Sequence, residues 1–154
     1  MKSVRIGVVG VGNFGRLHAR TLAGLAEADL VALVDGRAER MAQLTKELPG
    51  VKGYADIGTA LRESGATAWV VATQTATHVP LAEQILATGA SVLIEKPLAP
   101  DLASASRLAQ LVAPESRNLM LGHILLFASE FRSFLRESKQ RDPLVYFHSF
   151  RILQ

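Results

Sequence analysis

The chain contains no cysteine, which excludes both a disulfide framework and a thiolate metal site and suits a reducing cytoplasm. Aromatic residues are scarce, 6% with a single tryptophan. No apolar run approaches the length of a membrane span, and Arg5 breaks up the amino-terminal stretch that a secretory signal would need. Charge of one sign is also missing. Lys and Arg number 17 against 14 Asp and Glu, a formal net charge of +3 with a pI near 9.6. The basic residues Arg132, Arg136, Lys139 and Arg141 are interleaved with Glu137 and Asp142, the pattern of a solvated helical face rather than a nucleic-acid surface. Neither membrane nor nucleic acid is expected as a partner.

What is present is glycine, placed in a pattern. Val4-Arg5-Ile6-Gly7-Val8-Val9 reads as an apolar strand and runs into Gly10-Val11-Gly12-Asn13-Phe14-Gly15, which opens a helix. A second apolar run, Leu30 to Val34, ends at Asp35, twenty residues beyond Gly15. This is the spacing of a dinucleotide-binding βαβ unit. Gly10 allows the tight turn, Gly12 lets a pyrophosphate approach the backbone, and Gly15 lets helix and strand pack closely. The helix N-terminus, with its unpaired N–H groups, suits the phosphates. Asp35 would accept hydrogen bonds from the adenosine ribose and repel a 2′-phosphate, favouring NAD. Arg37, two residues on, could reach such a phosphate and keeps NADP open.

At 154 residues, 49% hydrophobic and 20% charged, the composition is that of a globular chain with a real core. Strand and helix patterns alternate, which points to an α/β fold with a doubly wound parallel sheet. The helix after the fingerprint carries the stripe Phe14, Leu17, His18, Thr21, Leu22, Leu25, in which His18 reads as a packing residue. Further helices are expected at 38–48, 57–62, 78–87 and 128–139, and after Asp101 as cap. Strands are expected at 68–72, 91–94 and 118–124, with an irregular stretch around Tyr54. Residues 144–153 form a strong β pattern, apolar on both faces, with Gln154 directly after it. An edge of that kind calls for a partner. It reads as the first strand of a second domain absent from this sequence, or as a strand that pairs with another copy of the chain.

Three polar clusters fall at the C-terminal ends of expected parallel strands, where open α/β sheets bind ligands: Thr73-Gln74-Thr75-Ala76-Thr77-His78, Glu95-Lys96-Pro97 and Gly122-His123. Thr73, Gln74, Thr75 and His78 are placed to hydrogen-bond a ribose or a nicotinamide amide.

Together the glycine fingerprint with Arg16-Leu17-His18, the Thr73–His78 loop and the Glu95-Lys96-Pro97 turn resemble the glucose–fructose oxidoreductase/inositol dehydrogenase (Gfo/Idh/MocA) family, in order and over essentially the whole chain. The resemblance implies a Rossmann domain at 1–122. Residues 123–154 would be a linking helix and the first strand of a substrate and oligomerisation domain. It implies an NAD(P)-dependent dehydrogenase acting on a carbohydrate-like hydroxyl, with Lys96 steadying that hydroxyl or the nicotinamide ribose, Glu95 near the ribose, and a Lys96–Pro97 bond that is often cis. Gln74 stands where the family usually has proline, and Leu126, Ala128 and Ser129 stand near positions of its arginine and proline. No residue here matches the family's Asp-x-x-x-His acid–base motif. The 154 residues are therefore expected to bind cofactor without turning over substrate. A nucleotide-binding module with no catalytic role is the alternative.

Overall fold

A computed structural model describes residues 3–112 and 116–138. The inner strands of its sheet are packed between two cores, one on each face. β1 (Val4–Val9), β2 (Ala28–Val34), β4 (Ala68–Val71) and β5 (Ser91–Ile94) are runs of β-branched and other apolar residues, the composition of a parallel sheet covered by helices. With β3 (Lys52–Tyr54) and β6 (Leu119–Leu121) they form one six-stranded sheet in the order β3-β2-β1-β4-β5-β6. All five pairings are parallel. Strand order reverses between β1 and β4, which makes their junction the switch point at which such sheets hold ligands.

Side chains alternate between the two faces with the strand period of two. Val8, Leu33 and Val70 share one core with Ala19 of α1 (Asn13–Ala23) and with Met41 and Leu44 of α2 (Ala38–Glu47). Val9, Val34, Val71 and Ile94 share the other with α3 (Ile57–Glu63), α4 (Thr75–Leu86) and Leu108 of α5 (Leu102–Gln110). Trp69 fills the second core at 1% exposure. Register sets up the site. Val9 is aligned with Val34 and Val71, Val71 with Ile94, and Ile94 with Leu121. The residues that follow these strand ends therefore emerge side by side: Asp35, Gly10, Ala72, Glu95 and Gly122.

Several expectations need correction. The stretch around Tyr54 is not irregular: Lys52–Tyr54 pairs with Ala32–Val34 as an edge strand. The strand expected at 118–124 covers only Leu119–Leu121, and Ile124–Phe127 is a 3-10 helix. The helix expected at His78 starts three residues earlier, at Thr75. On α1 the expected stripe is misplaced, because Phe14 and Leu17 are more than half exposed and the buried residues are Gly15 and Ala19. Small residues face the sheet because the helix runs too close to it for large ones.

Contacts divide the chain into Met1–Gly122 and His123–Gln154. In the second unit the described residues comprise the 3-10 helix and α6 (Ser129–Ser138), on which the Phe131 and Phe134 rings lie 6.3 Å apart. The β pattern at 144–153 lies outside the described residues. Among the described residues no helix is long and apolar enough to cross a membrane.

Candidate cofactor site

At the switch point a cleft of about 440 Å³ opens over the strand ends. Gly10, Gly12, Asn13, Phe14, Asp35, Arg37, Thr73, Gln74, Glu95 and Lys96 line it, all singled out from the sequence, together with Arg40, Ala72 and Thr77.

The fingerprint loop takes its shape from steric necessity. Gly10 has φ +85°, the left-handed region that costs glycine nothing. A Cβ on Gly15 would lie 1.7 Å from the Gly10 carbonyl oxygen, so only glycine allows α1 to start where it does. Asp35 closes the loop from the side. One carboxylate oxygen accepts the Val11 N–H at 3.0 Å and the other accepts the Arg37 N–H at 2.9 Å. The same carboxylate faces the cleft, where an adenosine ribose would add to these bonds.

The helix ends differ in how they are capped. At α3, Asp56 accepts the Thr59 N–H, and at α5, Asp101 accepts the Ser104 N–H, both at 2.8 Å. These bonds to the ionised form hold both carboxyls below the usual aspartate range. By contrast α1, α2 and α4, which begin at Asn13, Ala38 and Thr75 beside the cleft, have no side-chain cap. No acidic residue stands in the first turn of α1. Its N–H groups and positive dipole end are left for an anion. Arg37, Arg40 and Lys96 outnumber Asp35 and Glu95 around the same cleft, a balance that suits a ligand with two phosphates.

On the β4–β5 side, Thr77 Oγ1 lies 2.8 Å from both the Gln74 carbonyl and Thr73 Oγ1, fixing the start of α4. The Lys96–Pro97 peptide is cis. Lys96 projects its ammonium to 5.8 Å from the centroid of the Phe14 ring, at the outer reach of a cation–π contact. Glu95 accepts the Lys96 N–H at 3.2 Å and meets His18 Nε2 at 2.7 Å. His18 is thus a polar partner of the site, not the packing residue expected. The structure puts four other singled-out residues outside the cleft wall. Gly15 acts through its close packing, Thr75 is the first residue of α4, and Pro97 follows the cis bond. His78 lies beneath the cleft at 1% exposure, with both ring nitrogens on backbone carbonyls. Burial leaves it no open donor or acceptor for a cofactor, which corrects its assignment as a direct contact. Arg40 and Thr77 were missed as lining residues. Each stands a few residues from a residue singled out for the site, Arg40 three beyond Arg37 and Thr77 two beyond Thr75.

A glycine turn at the switch point, an uncapped helix above it and an acid ending the next strand define a dinucleotide-binding α/β domain. Residues 4–123 match the model of the oxidoreductase family with an NAD-binding Rossmann fold (GFO_IDH_MocA), and the chain belongs to that family. It is 34% identical over 124 residues to UDP-N-acetylglucosamine 3-dehydrogenase of Acidithiobacillus ferrooxidans, covering 80% of this chain and 38% of that one. It is 29% identical over 149 residues to myo-inositol 2-dehydrogenase of Thermotoga maritima, covering 97% and 44%. Among solved structures it resembles scyllo-inositol dehydrogenase of Lactobacillus casei with bound NAD(H) and scyllo-inositol. That match has a TM-score of 0.84 and 25% identity, over 90% of this chain and 42% of that one. The chain spans about two-fifths of the length of these relatives.

Proposed function

We propose that this chain is the cofactor-binding part of an NAD-dependent dehydrogenase that oxidises a hydroxyl on a polyol, sugar or nucleotide-linked sugar. The observation that carries the reading is the single cleft that unites the fingerprint, Asp35 and the Glu95-Lys96 pair. Bound there, NAD supplies the hydride acceptor. Asp35 takes the adenosine ribose, and the open end of α1 with Arg40 takes the pyrophosphate. Thr73 and Gln74 border the nicotinamide half, and Lys96 donates a hydrogen bond to the substrate hydroxyl or to the nearby ribose. As the C–H beside that hydroxyl leaves as hydride, its O–H proton passes to a base. That base comes from a part of the enzyme outside these 154 residues, as does most of the substrate pocket. The substrate class is supported by the relatives named for inositol and for UDP-N-acetylglucosamine. The protein is read as cytoplasmic, and residues 123–154 as the link to a substrate domain through which copies associate.

Titration calorimetry of the chain with NAD and NADP, repeated on Asp35→Ala, tests this. The wild-type chain should prefer NAD by about tenfold or more, because Asp35 repels a 2′-phosphate, and the variant should lose most of that preference. Binding of neither dinucleotide would refute the cofactor assignment. Equal affinity for both, unchanged in Asp35→Ala, would refute the role given to Asp35.

A further inference from the structure

Two histidines on different helices hold the residues on either side of Lys96. From α1, His18 Nε2 reaches Glu95 Oε1 at 2.7 Å, while Glu95 Oε2 accepts the Lys96 backbone N–H. From α4, His78 sets Nδ1 at 2.9 Å from the Pro97 carbonyl and Nε2 at 3.2 Å from the Thr73 carbonyl. A neutral imidazole donates from one nitrogen to one of those carbonyls, and the doubly protonated ring donates to both. His78 is fully buried, and the Glu95 side chain is only 13% exposed. Apolar residues at positions 18 and 78 would take one hydrogen-bond partner from a largely buried carboxylate and one from a part-buried carbonyl. Packing alone does not call for these two side chains.

We propose that His18 and His78 are paired positioning residues for Lys96, fixing its backbone while leaving its ammonium available to a ligand. The proposal rests on the reading of the cleft as an NAD site. Lys96 itself makes no ion pair among the described residues, and its Nζ faces only the exposed Phe14 ring. Its neighbours are tied on both sides, so the side chain swings from a fixed root. His78 also links the Pro97 turn to the Thr73 loop, so the two loops on the β4–β5 side of the cleft move as one. Asp35 and the fingerprint govern the adenosine half of a dinucleotide, and the histidine pair governs the nicotinamide half.

The test compares NADH with ADP, which keeps the adenosine and both phosphates but lacks the nicotinamide riboside. Both are titrated into the full chain and into His18→Leu, His18→Gln and His78→Asn. The wild-type chain binds both ligands. His18→Leu and His78→Asn should weaken NADH by about tenfold or more and leave ADP within about threefold, and His18→Gln, whose amide nitrogen reaches the place of Nε2, should recover most of the loss. Unaltered NADH affinity in both His18→Leu and His78→Asn overturns the proposal. So does an equal loss of both ligands, which marks the histidines as general fold residues. If His78→Asn alone loses both ligands, His78 leaves the pair. Failure of the underlying NAD reading shows separately, as a wild-type chain that binds neither ligand.

Discussion

Substituting Gly15 by alanine separates cofactor binding from folding. The new methyl would lie 1.7 Å from the Gly10 carbonyl oxygen and 2.8 Å from its carbon. That neighbour is backbone in a tight turn and cannot rotate aside, so α1 must retreat. Moving from 1.7 Å to the 3.0 Å floor of real Cβ contacts is a shift of about 1.3 Å. A phosphate oxygen held at an ordinary 2.9 Å would then be about 4.2 Å from the same N–H, beyond hydrogen-bond range. Losing two charge-assisted bonds at about 1.5–3 kcal/mol each removes about 3–6 kcal/mol of binding. Affinity for NAD should fall between about a hundredfold and ten-thousandfold. Stability responds less, since overpacking costs about 1–3 kcal/mol while alanine gains about 1 kcal/mol over glycine in a helix. For a chain of this size the net cost lowers the melting temperature by less than about 8 °C. Gly36→Ala is the control, because a Cβ there meets nothing within 4 Å. Calorimetry and thermal melts on both variants decide the matter. If Gly15→Ala binds NAD as tightly as Gly36→Ala, the steric account of the fingerprint is wrong.

Further expectations concern stability and charge. Asp56 and Asp101 have folded-state pKa values lowered by the backbone N–H groups they accept. Their stabilisation is therefore present above the unfolded aspartate pKa and is lost as pH falls through the folded one. The melting temperature of Asp56→Ala/Asp101→Ala should trail the wild type at neutral pH, with the gap closing in acid; a gap constant across pH would count against capping by the ionised form. Trp69 Nε1 is buried with no hydrogen-bond partner among the described residues, so Trp69→Phe removes an unsatisfied donor and should cost less than about 1.5 kcal/mol, against about 3–5 kcal/mol for Trp69→Ala. Equal costs in chemical denaturation would show that the indole nitrogen is in fact satisfied. Arg40→Ala should weaken NAD binding and flatten its salt dependence, whereas salt dependence as steep as wild type would exclude Arg40 from the phosphate site.

The sheet was legible in the sequence where strands are buried on both faces. Val4–Val9 and Ser91–Ile94 stand out as short, mainly apolar stretches, and their bounds in the structure are those expected. Lys52–Tyr54 escaped notice because an edge strand of three residues carries too little pattern. α1 misled for a physical reason. Hydrophobic periodicity marks large side chains, but this helix meets the sheet through Gly15 and Ala19. The same error hid His18, which falls on the apparent apolar stripe yet turns towards Glu95 across 77 positions of sequence. No local spacing encodes that contact. Thr77 lies inside a cluster already recognised, and only the early start of α4 turns it into the cleft.

The unequal treatment of the helix ends has a thermodynamic consequence. Aspartates cap α3 and α5, whereas α1, α2 and α4 begin without a side-chain cap. On the function proposed above, a pyrophosphate at the open end of α1 would do for that helix what Asp56 and Asp101 do for theirs, making the cofactor a removable part of the fold. By mass action, ligand at a hundred times its dissociation constant adds about 2.7 kcal/mol to stability. How firmly this domain is folded thus becomes a readout of how much cofactor surrounds it.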